Sequence, residues 1–166
     1  MIKKKICMLG AFAVGKTSLV KQFIESIFSE KYQTTLGVKI DKKAVVVNGE
    51  PVDLILWDLA GEDDFISVKM SYLRGAAGYL IVVDGTRKES LETANALIER
   101  AEKEVGKLPY VMLINKSDLE SYWQITEKDI NAIENDAHKI FKTSAKTGEN
   151  VEAAFNAIAE AGLEKT

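Results

Sequence analysis

The chain has 166 residues, 46% of them apolar and 28% charged, with a formal net charge of −3. This length suggests one domain, since domains cluster near ~100–150 residues, and the composition is that of an ordinary soluble globular protein. A disulfide scaffold is excluded because Cys7 stands alone. So is a bilayer helix, because the longest apolar run, residues 76–83, falls far short of the ~18 residues required, and the mild negative charge argues against a nucleic-acid partner.

In chain order, the pattern alternates between strand and helix, the signature of a parallel sheet wrapped by helices. Residues 2–9 form a β-rich run ending at Gly10, and 15–27 then switch to helical period, with Leu19, Val20, Phe23, Ile24 and Ile27 on one stripe. Residues 28–37 show neither period and read as a loop. Residues 38–47 and 52–57 flank Asn48-Gly49, a dipeptide that accepts positive φ, and read as a hairpin. Residues 80–83 and 110–114 are short and wholly apolar, as strands buried on both faces are. Between them, 88–104 is helical, with Leu91, Ala94, Leu97, Ile98 and Ala101 on one side. A shorter helix over 127–135, a brief last strand at 140–141 and an Ala-rich amphipathic helix over 149–163 complete the pattern. Residues 1–166 read as a single α/β unit without repeats or linkers. His138 reads as a surface or strand-edge residue and Cys7 as a small buried hydrophobe.

Five segments carry chemistry. Residues 10–17, GAFAVGKT, match GxxxxGK(S/T) and stand between a strand and a helix, as a phosphate-binding loop requires. Such a loop turns its backbone N–H groups inward at a helix N-terminus, whose dipole also favours anions. The residues in position to cradle phosphate are Ala13, Val14, Gly15, Lys16, Thr17 and Ser18; Lys16 would neutralise the β- and γ-phosphates, and the Thr17 hydroxyl would bind Mg²⁺. Asn115-Lys116-Ser117-Asp118 follows a buried strand at the carboxyl end of the sheet, where α/β folds bind ligands. A carboxylate at Asp118 accepts from guanine N1–H and the exocyclic amine, whereas adenine N1 would face it with a lone pair. A site built on such bonds rejects the wrong ligand by ~10⁴ or more. Ser144-Ala145-Lys146, after the last strand, is the natural second wall of a base pocket. Asp58-Leu59-Ala60-Gly61 ends the 52–57 strand; Asp58 would hold Mg²⁺, through water, and the Gly61 N–H would approach the γ-phosphate. In the unpatterned loop, Thr35, chosen over Thr34 from its spacing to Gly37, would complete the Mg²⁺ shell once a γ-phosphate organises the segment.

Together with YQTTLG at 32–37, LWDLAGE at 56–62, LRGAAGYLIVVD at 73–84 and KTSAKTGENVEAAF at 142–155, these segments resemble the small GTPases of the Ras superfamily, nearest to the Rab and Rho branches, over essentially the whole chain. The resemblance implies a six-stranded, mostly parallel sheet with one antiparallel edge strand and five surrounding helices. It implies a switch that binds GTP or GDP with Mg²⁺ and hydrolyses GTP. Phe28 would lie edge-on against the guanine and Lys116 would run along its face. The segments 28–37 and 61–70 would meet effectors, an exchange factor and a GTPase activator, with Leu36, Val38, Phe65 and Tyr72 as apolar anchors.

Three features depart from the family pattern. Glu62 stands where most hydrolysing members carry a glutamine that orients the attacking water. A carboxylate only accepts hydrogen bonds and adds negative charge beside an anionic phosphate, so slow intrinsic hydrolysis is expected. Phe12 occupies a position usually held by a small residue. It either crowds the path of a partner's arginine finger, worth roughly 10³–10⁵ in rate, or points outward onto the switch segments. The end of the sequence, AGLEKT, offers no cysteine for prenylation and the start, MIKKK, no signal segment or myristoylation site, so a cytoplasmic, monomeric protein without a lipid anchor is expected. The competing readings are a pseudo-GTPase that holds GTP with negligible hydrolysis and a small-metabolite kinase, the latter disfavoured by only three arginines and no lid-like insertion. Tyr122 and Trp123, after the base motif, read as packing residues or a partner site.

Overall fold

The computed structural model describes residues 2–11, 13–24, 30–33, 38–59, 69–133 and 136–164. Strand β1 (Ile2–Gly10) leads through the phosphate-loop sequence into α1 (Lys16–Ile24); β2 (Glu30–Gln33), β3 (Lys39–Val47) and β4 (Glu50–Asp58) follow. A 3-10 turn at Met70–Leu73 precedes β5 (Gly78–Asp84), α2 (Lys88–Val105) and β6 (Tyr110–Asn115). A second 3-10 turn, Ser117–Tyr122, precedes α3 (Glu127–Ile133), β7 (Lys139–Thr143) and α4 (Val151–Glu164). The sheet order is β2-β3-β4-β1-β5-β6-β7. Pairing is parallel from β4 through β1 to β7, and antiparallel at β3–β4 and β2–β3, so β3 alone runs against the rest. This is the six-stranded, mostly parallel sheet expected of a P-loop GTPase domain, with about five helices around it, extended at one edge by the four residues of β2.

β2 corrects the reading of 28–37 as an unstructured loop. Its residues, EKYQ, carry no apolar alternation; backbone pairing with β3, Tyr32 opposite Ile40, makes the strand. The hairpin is as expected, with Val47 opposite Glu50 across Asn48-Gly49.

The strands of the parallel core send alternate side chains to opposite faces. Ile6, Met8, Leu80, Val82, Val111 and Leu113 point to the layer of α1 and α4, where Phe23 and Phe155 stack with ring centroids 4.1 Å apart. Cys7, Leu9, Tyr79, Ile81, Val83, Met112 and Ile114 point to the layer of α2, against Leu91, Ala94, Leu97 and Ala101. The Cys7 thiol is wholly buried, donates to the Tyr72 carbonyl at 3.6 Å and is pushed by burial to a pKa of about 12. Among the described residues no helix is long and apolar enough to cross a membrane.

The architecture puts the carboxyl ends of β1, β4, β5, β6 and β7 along one edge of the sheet. There the register sets Met8 beside Asp58 and Asp84 beside Asn115, which in turn lies beside Thr143. Chain direction across the sheet reverses at β1, the place where open α/β sheets leave a crevice for ligands.

Candidate functional site

The loop between β1 and α1 is shaped by two residues at positive φ, Ala13 (60°) and Gly15 (100°). Gly15 has a second constraint, because a Cβ there would overlap the Asn115 amide nitrogen. Val14, 1% exposed, roots the loop in the core, and the Asn115 Nδ2 donates to the Val14 carbonyl at 2.9 Å. The first turn of α1 follows at once, leaving helix N–H groups directed at the loop's concave side. Ala13 and Ser18 are exposed, whereas Lys16 and Asp58 are each 4% exposed. Lys16 Nζ donates to Asp58 Oδ1 at 2.8 Å and to the Leu59 carbonyl at 2.7 Å, and Thr17 Oγ1 donates to Asp58 Oδ2 at 2.8 Å.

A lysine, a hydroxyl and a carboxylate thus converge at the joint carboxyl ends of β1 and β4. Among the described residues no group of three His, Cys, Asp or Glu could hold a metal ion. The Thr17 hydroxyl and Asp58 carboxylate nevertheless fit Mg²⁺, which prefers hard oxygen donors and keeps much of its shell for water and phosphate oxygens.

The second half of the site is built around Asn115, 2% exposed. Its Oδ1 accepts from the Thr143 hydroxyl at 3.2 Å and the Ala145 N–H at 3.3 Å, while its amide holds the phosphate loop. Lys116 then adopts a left-handed conformation (φ 74°, ψ 40°), which for a residue with a Cβ costs roughly 1–2 kcal/mol and turns the chain sharply into the Ser117–Tyr122 turn. Asp118 stays exposed, its Oδ1 accepting from the Ser144 hydroxyl at 2.8 Å. The Ser144 Oγ accepts in turn from the Lys146 and Thr147 N–H groups, at 3.2 and 3.1 Å. The two segments predicted to wall a base pocket, 115–118 and 144–146, are therefore brought together, with Asp118 bonded to the second wall.

Asp84, which sequence reasoning passed over, ends β5 wholly buried and pairs with Lys116 Nζ at 2.8 Å. Burial would raise its carboxyl, but hydrogen bonds from Lys116 and from the Thr86 hydroxyl and N–H outweigh that and hold it below the usual aspartate range. The signal available in the sequence was a carboxylate closing a wholly apolar strand.

Of the other expected site residues, Phe12, Phe28, Thr35, Gly61 and Glu62 lie outside the described residues, as do Leu36 and Phe65. Val38, expected as a surface anchor, is 5% exposed and belongs to the buried cluster that also holds Cys7 and Leu59. Tyr72 is half-buried beside Trp57, ring centroids 6.4 Å apart, and Lys5 Nζ stands 3.8 Å over the Trp57 ring. His138 is exposed at the start of β7 and Tyr122 is 74% exposed, whereas Trp123 is half-buried and bonded.

Set against known families, the chain matches the sequence model of the Ras family over residues 5–164.

Proposed function

The chain belongs to the Ras family of GTP-binding small GTPases, and we propose that residues 1–166 act as one G domain, a cytoplasmic, Mg²⁺-dependent switch of the kind nearest to the Rab and Rho branches, with slow intrinsic GTP hydrolysis. The observation that carries this reading is the convergence of Lys16 and Thr17 on Asp58, each at 2.8 Å, at the end of the sheet that also holds the Asn115–Asp118 turn.

Guanine would be recognised by Asp118, with Lys116 and Lys146 flanking it and Ser144-Ala145 as the second wall. Phe28 would meet the ring edge-on. Asn115 supports this pocket and the phosphate loop together, so one side chain sets the distance between base and phosphates. The phosphates would lie against the N–H groups of Ala13, Val14, Gly15, Lys16, Thr17 and Ser18. As they enter, Lys16 shifts its donors from Asp58 to the β- and γ-oxygens, which keeps a positive charge where negative charge develops. Thr17, Thr35 and Asp58 would hold Mg²⁺, which when bound neutralises phosphate charge and fixes the phosphate oxygens. Water attacks the γ-phosphorus, the bond to the bridging oxygen breaks, and GDP and phosphate result. The Gly61 N–H steadies the transferred group, and Glu62, in place of the usual glutamine, orients that water poorly because it accepts without donating.

Thr35 and Gly61 make the segments around them sensitive to the γ-phosphate, so the surfaces presented to effectors, an exchange factor and an activator differ between the GTP and GDP forms. Glu62 and Phe12 also support a second reading, a binding module that holds GTP with negligible turnover. Single-turnover hydrolysis on the Mg²⁺-loaded protein separates the two. Slow but complete conversion, faster by ~10-fold or more in Glu62→Gln, is expected. Bound nucleotide that remains GTP over many hours favours the binding module, and equal rates for both proteins at a level ordinary for the family overturn the role given to Glu62.

A further inference from the structure

We propose that Trp123 is a positioning residue for guanine recognition, bracing the turn that carries Asp118; the inference rests on the guanine reading above. Besides the pairing of its Nζ with Asp84, Lys116 is held in its left-handed conformation through its carbonyl. Its carbonyl accepts from the Leu119 N–H at 2.9 Å, and from the indole Nε1–H of Trp123 at 2.8 Å. The second bond closes the turn on itself and ties its exit to its entrance. The indole is seated in its own right: its ring covers Gly85, where a Cβ would overlap it. The backbone that follows is fixed too, since the N–H groups of Gln124 and Ile125 donate to the Gly85 carbonyl at 2.8 and 3.2 Å. The Gly85 N–H donates to the Asn115 carbonyl at 3.1 Å, completing a ring of contacts from the end of β6 through Gly85 and Trp123 back to Lys116. Lys142 flanks the indole with Nζ 5.7 Å from the ring centroid and bonds to Glu120 and Glu127 on either side of it.

This arrangement acts on one property above others. Asp118 sits inside the braced turn, and its two oxygens must align with two donors of guanine. A turn that relaxes by a few tenths of an ångström spoils the alignment of the pair. Inosine nucleotides, which lack the exocyclic amine, are therefore the informative comparison.

Trp123→Phe keeps the ring over Gly85 and removes only the indole donor. The test measures GDP release, with Mg²⁺ and in excess chelator, and the affinity ratio of GDP to IDP. Losing one such hydrogen bond is expected to accelerate GDP release by ~3–10-fold under both conditions and to lower the GDP-to-IDP ratio by a similar factor. Unchanged release and ratio in a folded variant overturn the proposal. So does equal weakening of GDP and IDP, which marks Trp123 as a support for the fold alone. If Trp123→Phe fails to fold, the wild-type GDP complex carries the test: the Trp123 indole N–H must exchange with deuterium slowly, and exchange at the free-indole rate overturns the proposal. A wild-type protein that binds GDP and IDP equally removes the guanine reading itself; one that separates them while Trp123→Phe does so equally well removes this inference only.

Discussion

The two ends of the nucleotide site are constructed differently. At the base end, Asn115, Asp118 and Ser144 are each held by groups from other segments, through neutral or singly charged hydrogen bonds between β6, β7 and the turns that follow them. At the phosphate end, the principal cation and the principal carboxylate, Lys16 and Asp58, satisfy each other in a buried pair. On the proposed function a nucleotide would find its base partners already bonded to one another, with little left to order, whereas its phosphates would have to take Lys16 from Asp58. The contrast separates two tasks. Recognition of the base would rest on a preformed frame, and the charge exchange that accompanies phosphate binding is where gain or loss of one phosphate would be felt.

Removing the cation is the harshest way to break this contrast. Lys16→Met leaves the Asp58 carboxylate facing phosphate without a counter-charge, and breaking a buried pair from one side costs about 3–5 kcal/mol. GDP affinity measured by nucleotide competition should fall by ~10²–10³-fold, and the preference for GDP over GMP should vanish while base selectivity survives. Asp118→Asn does the converse. An amide accepts from N1–H but presents its own N–H to the exocyclic amine, so guanine binding should fall by ~10²-fold and xanthine, with a carbonyl at that place, should gain. A competition series of GDP, IDP and xanthosine diphosphate reads this directly, and retained GDP preference would place guanine recognition elsewhere.

The gentlest change sharpens the contrast through pH. Asp84 has a folded-state pKa below its unfolded one, so its contribution is fully present above about pH 4 and is lost as pH falls through the lowered folded value. Asp84→Asn should cost about 1–3 kcal/mol at neutral pH. In urea unfolding followed from pH ~6 to ~2.5, the wild type's advantage should shrink steadily at the acid end; a constant difference would deny the pairing with Lys116.

How much of this the sequence carried depends on the distance over which a contact acts. Runs such as 80–83 and 110–114 were legible as strands because burial on both faces leaves an unbroken apolar signature. The phosphate loop and the Asn115–Asp118 turn were legible because their chemistry demands particular residues at fixed spacing. β2 was not, since pairing with β3 rather than side-chain pattern makes it a strand. Val38 was assigned to the surface because an apolar residue beside a loop reads alike whether it meets solvent or the core; here it joins the buried cluster of Leu59 and Cys7. The bonds Asn115–Val14, Lys116–Asp84 and Trp123–Lys116 join groups through folded geometry, and residue type alone does not announce such partners.

The burial of Cys7 has a practical side. An exposed thiolate attacks thiol reagents, and the single sulfhydryl of this chain is shut inside the sheet with its ionisation suppressed near neutral pH. A cysteine introduced at the exposed Tyr122 position, next to the turn that carries Asp118, would be the sole group open to a maleimide dye. The native background needs no cysteine removal, and a single fluorophore placed there would report nucleotide exchange in real time from the base side of the site.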